Sequence, residues 1–295
     1  MSLNTIVLLQ IITSSFLTLW YRQTGIVLKN RTLQISFFVY IWVALSGALI
    51  ALAANKFSFP GLPSKDAWLF IVIEGLFIPA YWIIQFKLIS LLGASNAVIT
   101  QTLNYWVAAA FGLLILGEGL TKNSVAGLLL IVAAVYLSLS TDYKASRNQL
   151  KGININYLKI MLVVAAALFF AIGMTAEKLA LGKVEVWDYA LYGWSAQFIG
   201  AAIFYFAFGR KRKIAINRKF MLYSTTAGLL TALSGAFFIA ALSTGMLSKT
   251  IILASSKIVL TSVLAIYFFK ENNDLIRRFI ALILALLGLL VIFLG

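Results

Sequence analysis

The chain has 295 residues, of which 62% are apolar and only 11% are charged, whereas a soluble domain carries about a quarter charged residues. It has neither cysteine nor histidine, which excludes disulfides, thiolate nucleophiles, Cys/His metal sites and imidazole acid–base chemistry. The net charge of +15 is assigned to loops that contact membrane lipids, and no nucleic-acid partner is expected.

Ten apolar runs follow one another along the chain, and mostly short loops separate them. Each run is long enough, at about 20 residues, to cross a hydrocarbon core of about 30 Å. Because no water in that core can pair with backbone polar groups, each run is predicted to be an α-helix of an all-α integral membrane protein. The predicted spans are 4–21, 33–54, 67–90, 94–117, 124–141, 157–177, 187–209, 220–243, 247–269 and 275–294.

Similar residues recur in the two halves at a common offset. Gly75-Leu76 in the third span matches Gly228-Leu229 in the eighth. Leu116-Gly117-Glu118 ends the fourth span, and Phe269-Lys270-Glu271 ends the ninth. Five spans per half is an odd number, so the second half enters the membrane from the opposite face. Inverted repeats of this kind are a transporter architecture.

The longest polar stretch lies at the midpoint of the chain and divides it. We therefore predict a first five-helix repeat at 1–141, a connecting loop at 142–156 and a second, inverted five-helix repeat at 157–295. Most lysine and arginine residues fall on the side that holds this loop. The positive-inside rule places that side in the cytoplasm and both termini outside it, in what we expect to be a prokaryotic plasma (inner) membrane.

The turn after the fourth span carries the motif Leu116-Gly117-Glu118-Gly119-Leu120-Thr121, followed by an apolar span from about Ser124. With this motif, two halves and ten spans, the chain resembles the EamA-like branch of the Drug/Metabolite Transporter superfamily, whose fourth span commonly closes with a Gly-Glu pair. Glu271 stands at the equivalent point of the second half. The chain departs from the family where members often carry a proline, since Tyr105 and Ile258 occupy those places.

The resemblance implies a secondary transporter of small organic metabolites, whose central cavity is lined mainly by spans one, three, four, six, eight and nine. Amino-acid-like or amphoteric solutes suit a cavity with one carboxylate, one ammonium group, amides and aromatic rings. A passive channel or facilitator and a non-transporting scaffold are the alternatives, and too few catalytic groups are present for an intramembrane enzyme. No cofactor and no nucleotide-binding loop is expected, and the oligomeric state stays open, a monomer being compatible with the sequence.

Two ionisable residues lie deep in predicted spans, where a charge costs about 2.5–3.5 kcal/mol or more. Glu74 is in the third span and Lys257 in the ninth. We expect both to face the central cavity, to pair when it is empty and to separate around a polar or zwitterionic substrate. Glu74 is also a candidate carrier of a coupling proton. The alternative is a buried pair that only fixes helix register.

Polar side chains at helical spacing extend this site. Tyr81 and Gln85 share a face with Glu74, and Asn104 is the repeat counterpart of Lys257. The alternative for such residues is interhelical hydrogen bonding. The candidate substrate-binding residues are Glu74, Lys257, Asn104, Gln101, Tyr81, Gln85, Gln10 and Thr261, with Ser14 and Gln197 as weaker candidates.

Three further features have simpler expectations. Pro79 removes the helical donor to the carbonyl of Gly75, so a kink or opened turn is predicted there, either as a gating element or as a packing kink. Glu118 is expected to cap or brace the turn at its span end. The Glu177-Lys178 pair closes the sixth span and is expected to be interfacial.

Overall fold

A computed structural model describes residues 3–28, 31–92, 94–119, 121–123, 125–134, 136–137, 157–209, 217–261, 264 and 275–294. All regular elements within these ranges are helical. The helices are α1 (Leu3–Val27), α2 (Thr32–Ala54), α3 (Lys65–Leu92), α4 (Ala94–Leu114), α5 (Val125–Ala134), α6 (Tyr157–Leu181), α7 (Val186–Phe204), α8 (Arg218–Thr244), α9 (Leu247–Ser255) and α10 (Leu275–Leu294). A π-helical turn, Tyr205–Gly209, follows α7.

Six of the described helices, α1, α2, α3, α6, α7 and α8, are long and apolar enough to cross a membrane. The described parts of α4, α5 and α10 add shorter apolar helices. Large apolar side chains lie on the outside of the bundle, and Leu49 and Leu229 are 69% and 48% exposed. Extensive apolar surface of this kind suits a lipid environment. The predicted connecting loop, 142–156, and Glu271 lie outside the described residues.

Helices from one half of the chain pack against helices from the other half. α1 packs against α8 and α3 against α6; α2 packs against α7 and α4 against α9. α3 also contacts α7, and α2 contacts α8. Exchanging each helix with the one five places away in chain order turns the α1–α8 pair into α6–α3 and the α3–α7 pair into α8–α2, and it leaves the α2–α7 and α4–α9 pairs as they are. These six pairings have the pattern that two repeats would require, whereas α4 packs against α6 far more extensively than its counterpart α9 packs against α1.

The directions of α2 and α7 follow from contacts near their ends. The ring centroid of Phe37, early in α2, lies 4.8 Å from that of Tyr205, just after α7. At the other end, Asn55 Nδ2 donates a hydrogen bond of 2.6 Å to Asp188 Oδ1, where α7 begins. Since the start of one helix meets the end of the other, α2 and α7 are antiparallel.

Glycine allows the backbones of α3 and α7 to come close where Pro79 interrupts the hydrogen bonds of α3. The helix continues through Pro79, which leaves the Gly75 carbonyl without its helical donor. A Cβ atom built on Gly200 of α7 would lie 1.9 Å from this carbonyl oxygen. Only glycine fits here, and its Cα–H group covers the oxygen. Whether this turn acts as a gate stays a prediction.

We expect Gly200→Ala to destabilise the protein by about 1–3 kcal/mol, as overpacked cores typically are, because the new methyl group would meet a backbone oxygen that cannot move away cheaply. Thermal unfolding in detergent measures the effect. Gly61→Ala is the matched control, since a Cβ atom at Gly61 would meet nothing within 4 Å. Equal melting temperatures for the two variants would contradict the close approach of α3 and α7.

Candidate functional site

The ninth predicted span, 247–269, is interrupted rather than continuous. α9 ends at Ser255, Ser256 forms a turn, and helical structure resumes at 257–261. Ser255 Oγ donates a hydrogen bond of 2.6 Å to the carbonyl oxygen of Ile252. Ser256 Oγ donates one of 2.7 Å to the carbonyl oxygen of Leu253. Hydroxyl groups that bond back to helix carbonyls compete with the backbone donors and bend helices.

Lys257 is the first residue after this interruption. Its neighbours Ser256 and Ile258 are 3% and 2% exposed, whereas Lys257 itself is half-buried. Its Nζ lies 5.3 Å from the ring centroid of Tyr105 on α4, which is a cation–π contact. Ser15 Oγ of α1 donates to the Lys257 carbonyl at 3.2 Å. The backbone of Lys257 thus contacts α1, and its ammonium group lies against Tyr105 of α4.

Polar atoms without partners lie on the same two elements. Asn104, next to Tyr105, is completely buried, and neither its Nδ2 nor its Oδ1 has an aligned hydrogen-bond partner among the described residues. Two further buried atoms have no aligned hydrogen-bond partner among the described residues: Gln101 Oε1, one turn earlier on α4, and Thr261 Oγ1, one turn after Lys257. Native proteins leave few buried polar atoms unpaired, so their concentration here suits a polar ligand.

Aromatic rings extend from Lys257 to α3. The Tyr105 ring meets Phe170 of α6 edge-on, with centroids 5.3 Å apart, and Phe170 lies 4.8 Å from Tyr81 of α3. The Asn104 side chain lies next to the Tyr81 hydroxyl. The structure therefore brings the sequence-predicted residues Lys257, Asn104 and Tyr81 to one place, together with Tyr105 of α4.

Glu74 is completely buried and does not pair with Lys257, contrary to the sequence-based expectation. Its Oε1 accepts a hydrogen bond from Gln197 Nε2 of α7. The pairing fails because the two residues lie on different interfaces: the ammonium group faces Tyr105 of α4, whereas the helix that carries Glu74 packs mainly against α6 and α7. Gln197, a weaker candidate in the sequence, is the residue that supplies the hydrogen bond.

A second acid, Glu177, lies opposite Glu74. Ile78 of α3 packs directly on Gly173 of α6, where a Cβ atom would meet the Ile78 Cδ1 at 2.5 Å. α3 and α6 are antiparallel, so one turn further along Glu74 stands opposite Glu177, which is only 3% exposed. The Tyr189 hydroxyl of α7 lies beside both carboxyl groups, without an aligned hydrogen bond to either.

The Glu177-Lys178 pair is therefore not the interfacial pair expected from the sequence. α6 continues to Leu181, one turn beyond the predicted span end, and this places Glu177 in the interior. Lys178 faces away from it, and its Nζ donates to the carbonyl oxygens of Leu242 and Gly245 at 2.7 Å each. These bonds satisfy carbonyl groups that the end of α8 leaves free.

Glu118 caps the first turn of α9, as expected of a brace at this turn. Its Oε1 accepts from the backbone N–H of Leu247 at 2.5 Å, and its Oε2 accepts from the N–H and Oγ of Ser248 at 2.8 and 2.7 Å. A carboxylate at a helix N-terminus pairs with free N–H groups and with the positive end of the helix dipole. Gly117, with φ +65°, provides the left-handed turn that aims Glu118 at α9.

Among the remaining predicted site residues, Gln10 and Ser14 take part in hydrogen bonds between helices. Gln10 Nε2 donates to Ser14 Oγ at 2.8 Å, and Ser14 Oγ lies 2.6 Å from Ser234 Oγ of α8. These bonds join α1 to α8, as the alternative of interhelical hydrogen bonding anticipated. Gln85 is buried in α3. A substrate role for Gln10 and Gln85 stays a prediction.

A bundle of apolar helices with charged and unpaired polar groups inside it defines a multi-pass helical membrane protein with an interior polar site. The sequence model of the EamA-like transporter family matches the chain twice, at residues 4–140 and 157–294. The chain belongs to the EamA-like transporter family, which confirms the resemblance noted in the sequence. It is accordingly an integral membrane transporter of small molecules.

Solved structures support the fold alone. A structure described only as "Crystal structure of protein" is similar to this chain with a TM-score of 0.76 and 18% identity, and the similarity covers 99% of this chain and 96% of the other. Comparison with curated proteins gives no match.

We expect Glu118→Ala to lower the free energy of unfolding by about 1.5–3 kcal/mol, the typical contribution of a hydrogen bond to a charged group. Thermal unfolding of the purified protein measures this loss. Glu185→Ala is the control, because Glu185 also precedes a helix but its side chain makes no capping hydrogen bond. A loss for Glu118→Ala no larger than that of the control would contradict the cap.

Proposed function

We propose that this protein is a secondary transporter that moves small organic metabolites by alternating access around the site between α4 and the segment after α9. The position of Lys257 carries this proposal. A charged side chain inside a membrane protein is costly and marks a transport pathway, and this one follows directly on an interrupted helix. Interrupted helices form the binding sites of many secondary transporters.

We also propose that the transporter consists of two inverted five-helix repeats, 1–141 and 157–295, joined by the loop 142–156. Three observations support this. One family model matches each half separately. Six of the helix pairings keep their pattern when the halves are exchanged. α2 and its counterpart α7 run in opposite directions, as inversion requires. Rocking of one repeat against the other then exposes the site to each side in turn.

The residues around Lys257 favour an amino-acid-like or amphoteric substrate. Lys257 has no acidic partner among the described residues, so its ammonium group is available to a substrate carboxylate. Asn104, Gln101 and Thr261 offer unpaired hydrogen-bonding atoms. The faces of Tyr105 and neighbouring rings suit a substrate cation or an apolar side chain.

Lys257→Met is expected to reduce the initial rate of substrate counterflow at least about tenfold, since a hydrogen bond to a charged group contributes about 1.5–3 kcal/mol. The assay uses purified protein in liposomes preloaded with unlabelled amino acid and a panel of labelled amino acids outside. Lys219→Met is the control, because Lys219 is an exposed lysine at the start of α8.

Counterflow distinguishes the candidate functions. A carrier exchanges labelled for unlabelled solute and accumulates label transiently, whereas a passive channel does not. Label that equilibrates without transient accumulation would contradict the carrier, and equal rates in Lys257→Met and wild type would contradict the site.

For topology, we propose that the basic loops face the cytoplasm and that both termini lie outside it. Because the chain has no cysteine, Lys219→Cys and Lys56→Cys each introduce a single thiol at an exposed position. In intact bacterial cells, a membrane-impermeant maleimide is expected to label Lys56→Cys, and to label Lys219→Cys only after permeabilisation. The reverse pattern would show the opposite orientation.

A further inference from the structure

We propose, on the basis of the transport function above, that Glu74 and Glu177 form a carboxyl pair that holds one proton and releases it in each transport cycle. The pair lies between α3 and α6, on a different interface from Lys257. In this proposal the carboxyl pair binds the coupling proton, whereas the site at Lys257 recognises the substrate.

The pair is enclosed within the bundle. Glu74 and Glu177 are 0% and 3% exposed and stand opposite each other across antiparallel helices. Gln197 donates to one oxygen of Glu74, while the other oxygen, Oε2, has no partner among the described residues. The Tyr189 hydroxyl is completely buried and interacts with both acids. Glu74 Oε2 is thus the oxygen that a shared proton would supply with a hydrogen bond.

The described groups around the pair supply no compensating positive charge. Besides Tyr189, the buried Tyr40 of α2 lies within electrostatic range of both acids, and Tyr21 of α1 and Tyr81 of α3 lie within range of Tyr40. Lys178, next to Glu177 in sequence, is bound to carbonyl oxygens at the end of α8. Among the described residues neither acid forms an ion pair with a lysine or arginine.

Two carboxylates without a cation cannot both stay ionised at such a place, because desolvation and mutual repulsion both oppose it. One shared proton removes a charge and supplies the missing hydrogen bond to Glu74 Oε2. Release requires water to reach the pair: the carboxyl O–H bond then breaks, the proton passes to water, and the two negative charges present after release are stabilised by this water, by Gln197 and by the Tyr189 hydroxyl.

The position of the pair connects its proton to the conformational change. Glu74 belongs to the first half of the chain, and Glu177, Tyr189 and Gln197 belong to the second. Rocking of one half against the other would separate the two acids and admit water between them. The proton is then released to the side that is open, which is the requirement for coupling.

The first test measures the proton itself and needs no substrate. Infrared difference spectroscopy of purified protein in lipid nanodiscs, between acidic and alkaline buffer, is expected to show the carbonyl band of a buried protonated carboxyl group. Glu74→Gln and Glu177→Gln should each remove this band, since either change leaves a single acid beside a neutral amide. Glu185→Gln, at an exposed position, should leave it unchanged. A band that persists in both pair variants would overturn the proposal.

The second test measures coupling in liposomes with the membrane potential clamped, using the labelled amino acid that shows counterflow. One proton per solute predicts about tenfold accumulation per unit of pH gradient. Glu74→Gln and Glu177→Gln should abolish accumulation but retain counterflow.

Wild-type counterflow without pH-driven accumulation, or accumulation driven by sodium alone, would overturn the proton pair and leave the transport function standing. An absence of counterflow would instead contradict the transport function, and the infrared test then decides on the pair alone.

Discussion

The pairing of backbone polar groups inside the bilayer is the constraint on which the rest of this structure depends. Within hydrocarbon each unpaired N–H or C=O group costs several kcal/mol, so the chain must be helical there, and every interruption needs a local partner. Three interruptions are satisfied by named groups. Gly200 covers the carbonyl that Pro79 frees, Glu118 caps the first turn of α9, and Ser255 and Ser256 bond to carbonyl oxygens where α9 ends. Two of the three belong to the helix that leads to Lys257.

Charge inside the bundle is divided between two interfaces, and this division separates two tasks. Lys257 lies against the face of Tyr105, a partner that stabilises a cation while leaving its N–H donors available. Glu74 and Glu177 face each other under Tyr189, in a region that the solvent does not reach. Had Glu74 and Lys257 paired, as the sequence suggested, each would neutralise the other. Among the described residues, their separation leaves a cation without an anion and an acidic pair without a cation.

The sequence predicted those features that depend on local pattern. The apolar runs follow from hydropathy, and a bracing role for Glu118 follows from its position at a span end, although the helix that it caps, α9 of the other half, was not predicted. Glu177 was missed because it lies within one turn of the predicted span end, where helix boundaries are least certain. The meeting of Glu177 with Glu74 depends on the register of α3 against α6, which no local pattern encodes. The break at Ser255 and Ser256 did have a signal, since serine pairs are known positions of helix bending.

The cap on α9 joins the two halves of the chain. Glu118 follows α4 in the first half, and the N–H groups it accepts from begin α9 in the second half, so the cap joins the halves at one face of the membrane. Any motion that separates the end of α4 from the start of α9 has to break three charge-assisted hydrogen bonds of 2.5 to 2.8 Å, which are stronger than bonds between neutral groups. α9 is thus a short segment that is held at its start by a residue of the other half and that ends at the break before Lys257. The position of Lys257 therefore depends on groups from both halves of the chain.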